Sequence, residues 1–419
     1  MPIKLAVIGS GIAGLTAAHA AQRHGWRVTL FESQATLGIA SHGLRIGETD
    51  GANVDVPSRM FNASQWPALA NLYDQIGVEC VPIDASQTYS INDEADVLLK
   101  LSPTLDLATI LRLAAGRETR AFALQARRFF QLISSQTREK PTSTFREYLN
   151  RGGISDQFLD RFLYPLLSST VCTCSFEVLD QYPAVILVPA INRILQGGQL
   201  LRTKHGTSDV AKRLTAAIDD TRLSINVHQI SSLNDQVVVD FDDEKELFDH
   251  VIVATQANTA ATLIDSCQLA ERELLNRVRY QDVGVYVHSD KSLLPVNRTD
   301  WSTFNMLTDN KAAECTVWLN RFYGDQRFDQ DVFQTIDVGL QVAPQQVLAS
   351  ARLQRPIVDH ETEQTIHELK QMHSQTDRRI WYAGSWAALG VPLLETGVQS
   401  AQQIVGRIAE QLNCPVSGR

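Results

Sequence analysis

The chain has 419 residues, enough for two domains or for one large unit with interleaved segments. Its composition, with 44% hydrophobic and 20% charged residues, is ordinary for a globular enzyme, and a formal net charge of −9 argues against a general nucleic-acid-binding protein. The cysteines show no CxxC spacing, and the one close pair is Cys172 and Cys174. Because alternate residues of a strand point to opposite faces, we expect core or surface thiols and no metal site.

Two features of the sequence bear on location. No apolar run approaches the length of a transmembrane helix. The first predicted strand begins within the first few residues, so we expect no signal peptide before the fold. These observations predict a cytoplasmic protein.

The strongest single pattern opens the chain. Lys4–Ile8 is a short apolar run typical of a buried parallel strand, and residues 15–24 form an alanine-rich segment typical of a helix. Between them lies GSGIAG, a dinucleotide-binding turn whose glycines allow a tight turn, close approach of a pyrophosphate, and close packing of helix on strand. A second predicted strand, Arg27–Phe31, ends at an acid that can accept hydrogen bonds from a ribose. The predicted contacts are Gly9, Ser10, Gly11, Ile12, Ala13, Gly14, Glu32 and Ser33. The alternative is a glycine-rich turn in an unrelated α/β protein.

The next part of the chain predicts a change from strands to helices. Residues 44–60 predict a hairpin, 65–77 a helix, and 80–101 strands with polar turns. The pattern over 106–135 is helical and basic, with Arg112, Arg117, Arg120, Arg127 and Arg128. Such a stretch either rests on an anionic membrane surface or forms a solvated helical face, and we favour the second. Helices are also predicted over 145–149 and 156–167, and over the very apolar segment 184–195.

The second half of the chain returns to the parallel sheet. We predict a helix over 208–218, strands over 223–227, 236–241 and 248–254, strands of a second sheet over 282–288 and 315–322, and a helix over 362–372. A buried strand over 380–384 and a helix over 395–412 end the chain. These elements predict a discontinuous cofactor-binding domain over 1–64, 197–272 and 373–419, with a substrate domain over 65–196 and 273–372.

Several further motifs carry a resemblance to a known family. They are VDVPSRMFN at 54–62, YPLLSS at 164–169, WYAGSW at 381–386 and PLLETGV at 392–398. With the N-terminal turn, they resemble the flavin amine oxidase and phytoene desaturase superfamily over nearly the whole chain. The match is most similar to predicted FAD-binding oxidoreductases associated with cyclopropane fatty acid synthases. The resemblance implies an α/β fold, an amine-oxidase-like Rossmann-type FAD-binding domain with an inserted α+β substrate domain, and FAD as the cofactor.

The same resemblance implies further cofactor contacts. Val227 would touch the adenine through its backbone and Ala254 would line the nucleotide, while Gly384 and Ser385 would meet the pyrophosphate and ribityl chain. The start of the last helix would lie beneath the flavin pyrimidine ring, where its dipole stabilises the negative charge of a reduced flavin. The residues expected there are Glu395, Thr396 and Val398.

Fewer residues point to the substrate. Arg59 lies beside the predicted flavin segment and is counted among the expected cofactor contacts; it either holds a substrate carboxylate as well or forms a structural ion pair. Phe304 and Trp386 are predicted to line the substrate cavity, although aromatic residues at such places are also ordinary core. No catalytic base is identified. His288 is a candidate acid or base, but a structural role is favoured for a lone strand histidine.

We predict an FAD-dependent oxidoreductase that acts on a hydrophobic small molecule, such as a fatty acyl chain or a secondary metabolite. It would desaturate or isomerise a carbon–carbon bond by hydride transfer through flavin N5, and the apolar helical insertion over 105–195 motivates this hypothesis. An amine or amino-acid oxidase using O2 is an alternative, disfavoured because 283–288 contains no lysine and Lys291 lies beyond it. A non-catalytic flavin-binding partner protein is a third. We expect no nucleic-acid partner; the substrate, electron acceptor and oligomeric state stay open, and peripheral membrane contact is allowed.

Overall fold

A five-stranded parallel sheet forms the centre of the cofactor-binding side of the molecule. The computed structural model describes residues 2–40, 43–46, 52–91, 97–101, 117–135, 143–265, 268–308, 313–324, 327–337 and 342–413. In spatial order the strands are Asp220–Arg222, Arg27–Phe31, Lys4–Ile8, His250–Val253 and Ile380–Tyr382. Every neighbouring pair is parallel. The strand order reverses at Lys4–Ile8, which creates a crevice above its carboxyl end, the usual ligand position in such sheets.

Both faces of this sheet are covered, which explains why its strands are almost continuously apolar. Helices cover one face and share one apolar core with it: Ile12–Arg23, Pro67–Gln75, Gly206–Thr215 and Leu394–Asn413. On the other face lies an antiparallel sheet of Val227–Leu233, Gln236–Phe241 and Glu244–Phe248. The helices on that side are Ala257–Leu263, Leu269–Asn276 and Thr362–Met372.

A seven-stranded sheet forms the second half of the molecule. Its order is Val347–Pro356, Tyr280–His288, Phe333–Asp337, Ala313–Trp318, Phe304–Thr308, Gln87–Ile91 and Val97–Leu101. The pair Phe304–Thr308 and Gln87–Ile91 is parallel, and the other neighbours are antiparallel. Two small sheets complete the described strands: Leu44–Ile46 with Ala52–Val54, and Phe61–Asn62, Leu200–Thr203 and Cys80–Pro82.

A helical layer packs around its own apolar core. The helices with bounds are Arg117–Ser134, Phe145–Arg151, Asp156–Phe158, Leu159–Leu163, Tyr164–Leu166, Leu167–Cys172, Phe176–Asp180 and Ala184–Leu195. Val391, just before the last helix, is buried in the same core. The remaining short helices are Gly38–Ala40, Arg298–Asp300, Leu319–Tyr323, Pro344–Gln346 and Ser385–Ala387. Within the described ranges, no helix combines the length and apolar character that crossing a bilayer requires.

Three predicted strands are wrong in their bounds. Residues 223–226 form a turn between Asp220–Arg222 and Val227–Leu233, because Ser224 adopts a left-handed conformation with φ 59° that breaks the extended run. The predicted strand 248–254 is two strands that meet at Asp249, whose N–H donates to the Lys4 carbonyl. The predicted strand 315–322 becomes a helix after Trp318.

Two further predictions concern the close cysteine pair and the basic helix over 106–135. Cys172 and Cys174 flank Thr173, which has a φ of 51° at the end of a helix, so the expected strand is absent there; both thiols are buried. The predicted helix over 106–135 is described from residue 117 onward, and 106–116, including Arg112, lie outside the described residues.

Candidate active site

The glycine-rich turn lies at the carboxyl end of the central strand. Gly9 has a φ of +98° and donates its N–H to the Phe31 carbonyl at 2.8 Å. A Cβ atom on Gly9 would lie 3.1 Å from the Ala254 carbonyl oxygen, so a side chain would be strained and crowded there. A Cβ atom on Gly11, by contrast, would meet no atom within 4 Å. The turn is therefore closed toward the sheet at Gly9 and open at Gly11, where a pyrophosphate can approach the backbone.

The first turns of two helices pack against each other beside this opening. A Cβ atom on Gly397, in the first turn of Leu394–Asn413, would lie 2.9 Å from Ile12 Cγ2 and 3.9 Å from the Ser385 N. Ile12 is the first residue of the N-terminal helix Ile12–Arg23. Free N–H groups and the positive dipole ends of both helices therefore lie close together, which is favourable for a pyrophosphate and for a negatively charged ring.

Glu32 is buried at the end of the second strand and accepts several hydrogen bonds. Its Oε2 accepts from the Ser10 N–H at 2.9 Å and from the Ser10 hydroxyl, while its Oε1 accepts from the Gln34 N–H at 2.9 Å. Ser33, which is exposed, donates its hydroxyl to the same Oε1 at 3.4 Å. The carboxylate and the glycine-rich turn are thus joined directly, as the predicted ribose contact requires.

The adenine side of the crevice is formed by the antiparallel sheet. The Ile225 N–H donates to the Glu32 carbonyl at 3.0 Å, and the strand Val227–Leu233 begins two residues later. Val227 thus lies two residues after a direct backbone contact with Glu32, the residue predicted to bind the ribose. Its backbone contact with adenine stays a prediction.

The C-terminal motif lies next to the end of the strand His250–Val253. Ala254 donates its N–H to the Ile8 carbonyl at 2.8 Å, and Trp386 Nε1 donates to the Thr255 carbonyl at 3.1 Å. The Gly384 N–H donates to Ser400 Oγ at 3.0 Å. Segments that are far apart in sequence, with Ala254, Gly384 and Ser385, are therefore brought to the same crevice as the N-terminal turn. Trp386 is 7% exposed and packs with the core of this side.

The carboxylate of Glu395 accepts hydrogen bonds from the protein backbone. Its two oxygens accept from the backbone N–H groups of Ala68 at 3.1 Å and Leu69 at 2.8 Å, at the start of the helix Pro67–Gln75. Thr396 Oγ1 accepts from the Leu393 N–H at 3.0 Å, and Val398 is completely buried. For this segment the backbone of the first helical turn, rather than the side chain of Glu395, is the candidate flavin contact.

Arg59 is half-buried and forms no ion pair among the described residues. Burial lowers the pKa of its guanidinium, and the positive charge of Arg355 lowers it further, while Asp55 acts in the opposite direction. The Asp55 carboxylate accepts instead from the Thr207 N–H at 3.0 Å and the Thr207 hydroxyl at 2.7 Å. The structural ion pair considered for Arg59 is thus not seen in the described part of the chain.

Sequence reasoning missed Arg355, which lies at the end of the strand Val347–Pro356. The next residue, Pro356, lines a small cleft together with Ser385 and Trp386. The available signal was the alternation of Ala351, Leu353 and Arg355 on one face of a strand.

His288 has the contacts of a structural residue. It is completely buried; its Nδ1 accepts from the Asp290 N–H at 3.1 Å, so Nε2 carries the proton and donates to Thr335 Oγ1 at 2.8 Å. Burial lowers the pKa of His288 to about 4, so the ring is neutral near neutral pH. Phe304 is also buried, 3% exposed in the core of the seven-stranded sheet with Val285 and Met306. The predicted contact of Phe304 with the substrate requires that this core position also borders the substrate cavity.

A family model described as flavin containing amine oxidoreductase matches residues 12–338. The chain belongs to this family. It is therefore a flavin-containing oxidoreductase, and its cofactor is FAD. Among curated proteins, no match is found.

Solved structures with the same fold come from several flavoenzymes. A candidate protoporphyrinogen oxidase from Exiguobacterium sp. 255-15 is 18% identical, with a TM-score of 0.70 over 98% of this chain and 99% of that one. Cyclohexylamine oxidase from Brevibacterium oxydans is 15% identical, with a TM-score of 0.69 over 99% and 100%. A CLA-producing fatty acid isomerase from P. acnes is 14% identical, with a TM-score of 0.69 over 97% and 98%. At these identities the likeness concerns the fold.

The crevice of this flavin amine oxidoreductase fits FAD. Gly11 leaves the backbone open to a pyrophosphate, and two helix N-termini lie beside it. Glu32 is hydrogen-bonded to this turn at the end of the second strand, where the sequence predicts a ribose contact. The residues that would hold FAD are therefore those of the turn, Glu32, the 384–385 segment and the start of the last helix. Individual contacts with the cofactor stay predictions.

Proposed function

We propose that this flavin amine oxidoreductase desaturates or isomerises a carbon–carbon bond in a hydrophobic small molecule, such as a fatty acyl chain or a secondary metabolite. The observation that carries the proposal is the position of the apolar helical layer. Val391 is buried in its core, and Leu393 packs against it. These residues lead directly into the helix turn predicted to lie beneath the flavin ring. Apolar side chains therefore adjoin the expected site of chemistry, as a long apolar substrate requires.

The chemistry divides between cofactor and protein. When bound, FAD supplies the N5 centre through which a hydride leaves and returns. The protein contributes the N–H groups at the start of Leu394–Asn413, which stabilise negative charge nearby, and an apolar layer that excludes water. Arg59 supplies a positive charge that can orient an acidic substrate.

Two similarities support an acyl substrate. One solved structure of the same fold is a fatty acid isomerase by its printed name. The sequence motifs also resemble flavoproteins associated with cyclopropane fatty acid synthases. Neither similarity identifies the substrate of this chain, so the acyl class stays a proposal.

An amine or amino-acid oxidase that uses O2 is the second candidate. The family name and the fold shared with cyclohexylamine oxidase favour it. Against it, the strand Tyr280–His288 contains no lysine, and Lys291 forms an ion pair with Asp331 at 3.2 Å on the surface. A lysine placed toward the flavin, common in amine oxidases, is thus not supplied by this strand.

The test starts from the visible spectrum of the purified protein. The flavin is photoreduced without oxygen and then exposed to air. Slow reoxidation, together with a double-bond shift or desaturation of an acyl substrate detected by mass spectrometry, would support the proposal. Reoxidation within seconds, with peroxide released on addition of amines, would replace it by the oxidase candidate. A protein that holds no flavin even after reconstitution with FAD would contradict both.

A further inference from the structure

A buried guanidinium near the crevice has no acidic partner. Nη2 of Arg355 donates to the carbonyl oxygens of Val171 and Cys172, both at 3.4 Å, which is long for a hydrogen bond. Nε of Arg355 is buried and has no partner. No carboxylate among the described residues forms an ion pair with it. A buried positive charge with so few partners is costly unless an anion completes the site.

A second unpartnered group lies beside it. The Tyr182 side chain is 3% exposed, and its hydroxyl is buried without a hydrogen-bond partner. Tyr182 shares the apolar core of the helical layer with Cys172 and Cys174. Arg355 and Tyr182 are close enough that each affects the pKa of the other. The buried Tyr182 hydroxyl and the buried Arg355 Nε–H are therefore two donors near Cys172 that no carboxylate or carbonyl group among the described residues accepts from.

The nearby thiols do not supply the missing negative charge. The interaction with Cys174 and then burial raise the pKa of the Cys172 thiol well above its ordinary value. Cys172 is therefore a neutral thiol near neutral pH, and it can neither balance the guanidinium nor accept strongly from it. The positive charge of Arg59, which Arg355 influences, adds to the excess of positive charge.

The chain next to this cluster leads to the predicted flavin site. Pro356, the residue after Arg355, lines the cleft that also contains Ser385, Trp386 and Gly390. The helical layer with Tyr182 continues through Val391 to the start of the last helix. The cluster thus lies at the apolar helical layer, one residue away from a cleft lined by segments expected to hold FAD.

We propose that Arg355 and Tyr182 bind an anionic oxygen group, the carboxylate of the substrate. A guanidinium N–H pair and a phenolic O–H match two carboxylate oxygens, and the apolar core around them suits the hydrocarbon body of the same molecule. The inference rests on the proposed function and narrows its substrate to hydrophobic carboxylic acids. A flavin ring oxygen offers related chemistry, so the test must separate a ligand carboxylate from the cofactor.

The probes are decanoate, decanol and decylamine, titrated into the FAD-loaded full-length protein by calorimetry. We expect decanoate to bind more tightly than the other two. Arg355→Gln should weaken decanoate binding about ten- to a hundredfold, the range for losing a hydrogen bond to a charged group. Arg355→Lys should weaken it less, and Tyr182→Phe about tenfold. The matched control is Arg352→Gln. Arg352 is an exposed arginine of the same strand, so the decanoate affinity of this variant should stay within twofold of that of the parent protein.

Each other result decides against the assignment. Equal decanoate affinity in Arg355→Gln, or decylamine binding as tightly as decanoate, would overturn it. Unchanged decanoate affinity with lost FAD or an altered flavin spectrum would assign Arg355 to the cofactor instead. If Arg355→Gln does not fold, Arg355→Lys and Tyr182→Phe carry the same test. Turnover of acyl carboxylates unaffected by both Arg355→Gln and Arg355→Lys would sink this inference and leave the proposed function intact. The expected affinities without any acyl product would support this inference and contradict the proposed function.

Discussion

A Cβ atom on Gly14 would lie 1.8 Å from the carbonyl oxygen of Gly9. The N-terminal helix therefore approaches the turn after the first strand as closely as a backbone allows, and this contact positions the helix N-terminus at the cofactor crevice. Any side chain at position 14 would push the helix away from the sheet. The closeness of these two glycines thus links the stability of the fold to the geometry of the cofactor site.

Gly14→Ala should destabilise the protein and weaken FAD binding together. Overpacking on backbone costs about 3 kcal/mol, and the displaced helix no longer presents its N–H groups correctly. The measurements are the thermal midpoint and the FAD content after purification. Gly406→Ala is the control, because a Cβ there meets no atom within 4 Å, and alanine in a helix should add about 1 kcal/mol of stability. A fully loaded, stable Gly14→Ala protein would contradict the predicted role of the turn.

Glu32→Gln should lower FAD affinity and also lower stability somewhat, because the new amide NH2 would face a group that now donates to the carboxylate. The amide keeps the shape of the side chain but removes the charge that strengthens hydrogen bonds from a ribose, a loss of about 1.5–3 kcal/mol or ten- to a hundredfold in Kd. The measurement is a titration of apoprotein with FAD, followed by quenching of flavin fluorescence. Glu244→Gln, an exposed acid on a neighbouring sheet, should bind like the parent. Equal Kd values for all three proteins would refute the ribose contact.

Glu395→Gln should lower the thermal midpoint by roughly 2 °C. Trp66, at the N-cap of the helix Pro67–Gln75, provides no side-chain cap, so Glu395 satisfies the orphan N–H groups from a distant part of the chain. Loss of its negative charge at a helix N-terminus costs about 1 kcal/mol. Differential scanning calorimetry provides the measurement. Glu410→Gln, exposed on the same last helix, should not change the midpoint. A midpoint unchanged in Glu395→Gln would mean that solvent replaces this cap at no cost.

Buried histidines should make the protein acid-sensitive between about pH 6.5 and 4. Burial lowers the pKa of His288 to about 4, and that of His250 also to about 4, whereas both titrate near 6.5 when unfolded. In this window the unfolded chain binds protons that the folded chain does not, so stability falls as pH falls, by about 3 kcal/mol for each histidine. Their full contribution is present above pH 6.5.

Urea unfolding from pH 7.5 to 4.5 measures this slope. His288→Asn should make the dependence on pH shallower by close to one proton, even if it also lowers stability overall. His360→Asn is the control, because that side chain is 85% exposed and should leave the slope unchanged. The same slope in all three proteins would contradict the assignment of a neutral, buried His288.

Sequence patterns predicted the cofactor side of the molecule well because each pattern there is made by residues that are close together in the chain. The turn at Gly9 and Gly14 and the apolar strands around it follow from a few consecutive residues, and the family match confirms the class of fold and the cofactor. The resemblance predicted that distant segments such as 254–255 and 384–385 meet, which spacing alone does not specify.

The features that the sequence did not predict depend on the folded chain, mostly on contacts between segments far apart in sequence. Ser224 breaks an apolar alternation by adopting a left-handed conformation, which no neighbouring glycine signals. Arg355 and Tyr182 come from a strand and a helical layer far apart in sequence, so their shared lack of partners appears only in three dimensions. The start of the last helix at Glu395 stays a predicted flavin contact, and the cap that its carboxylate provides to the helix Pro67–Gln75 appears only in the folded structure.

The parallel sheet is assembled from pieces that leave the ribosome at very different times. Lys4–Ile8 and Arg27–Phe31 emerge first, but His250–Val253 and Ile380–Tyr382 follow only after most of the chain has been made. One edge of the nascent first strand must therefore wait unpaired during much of translation, a state that favours chaperone binding or aggregation. Because the strand Ile380–Tyr382 and the helix Leu394–Asn413 complete the crevice, the full cofactor site can form only after nearly the whole chain has been made.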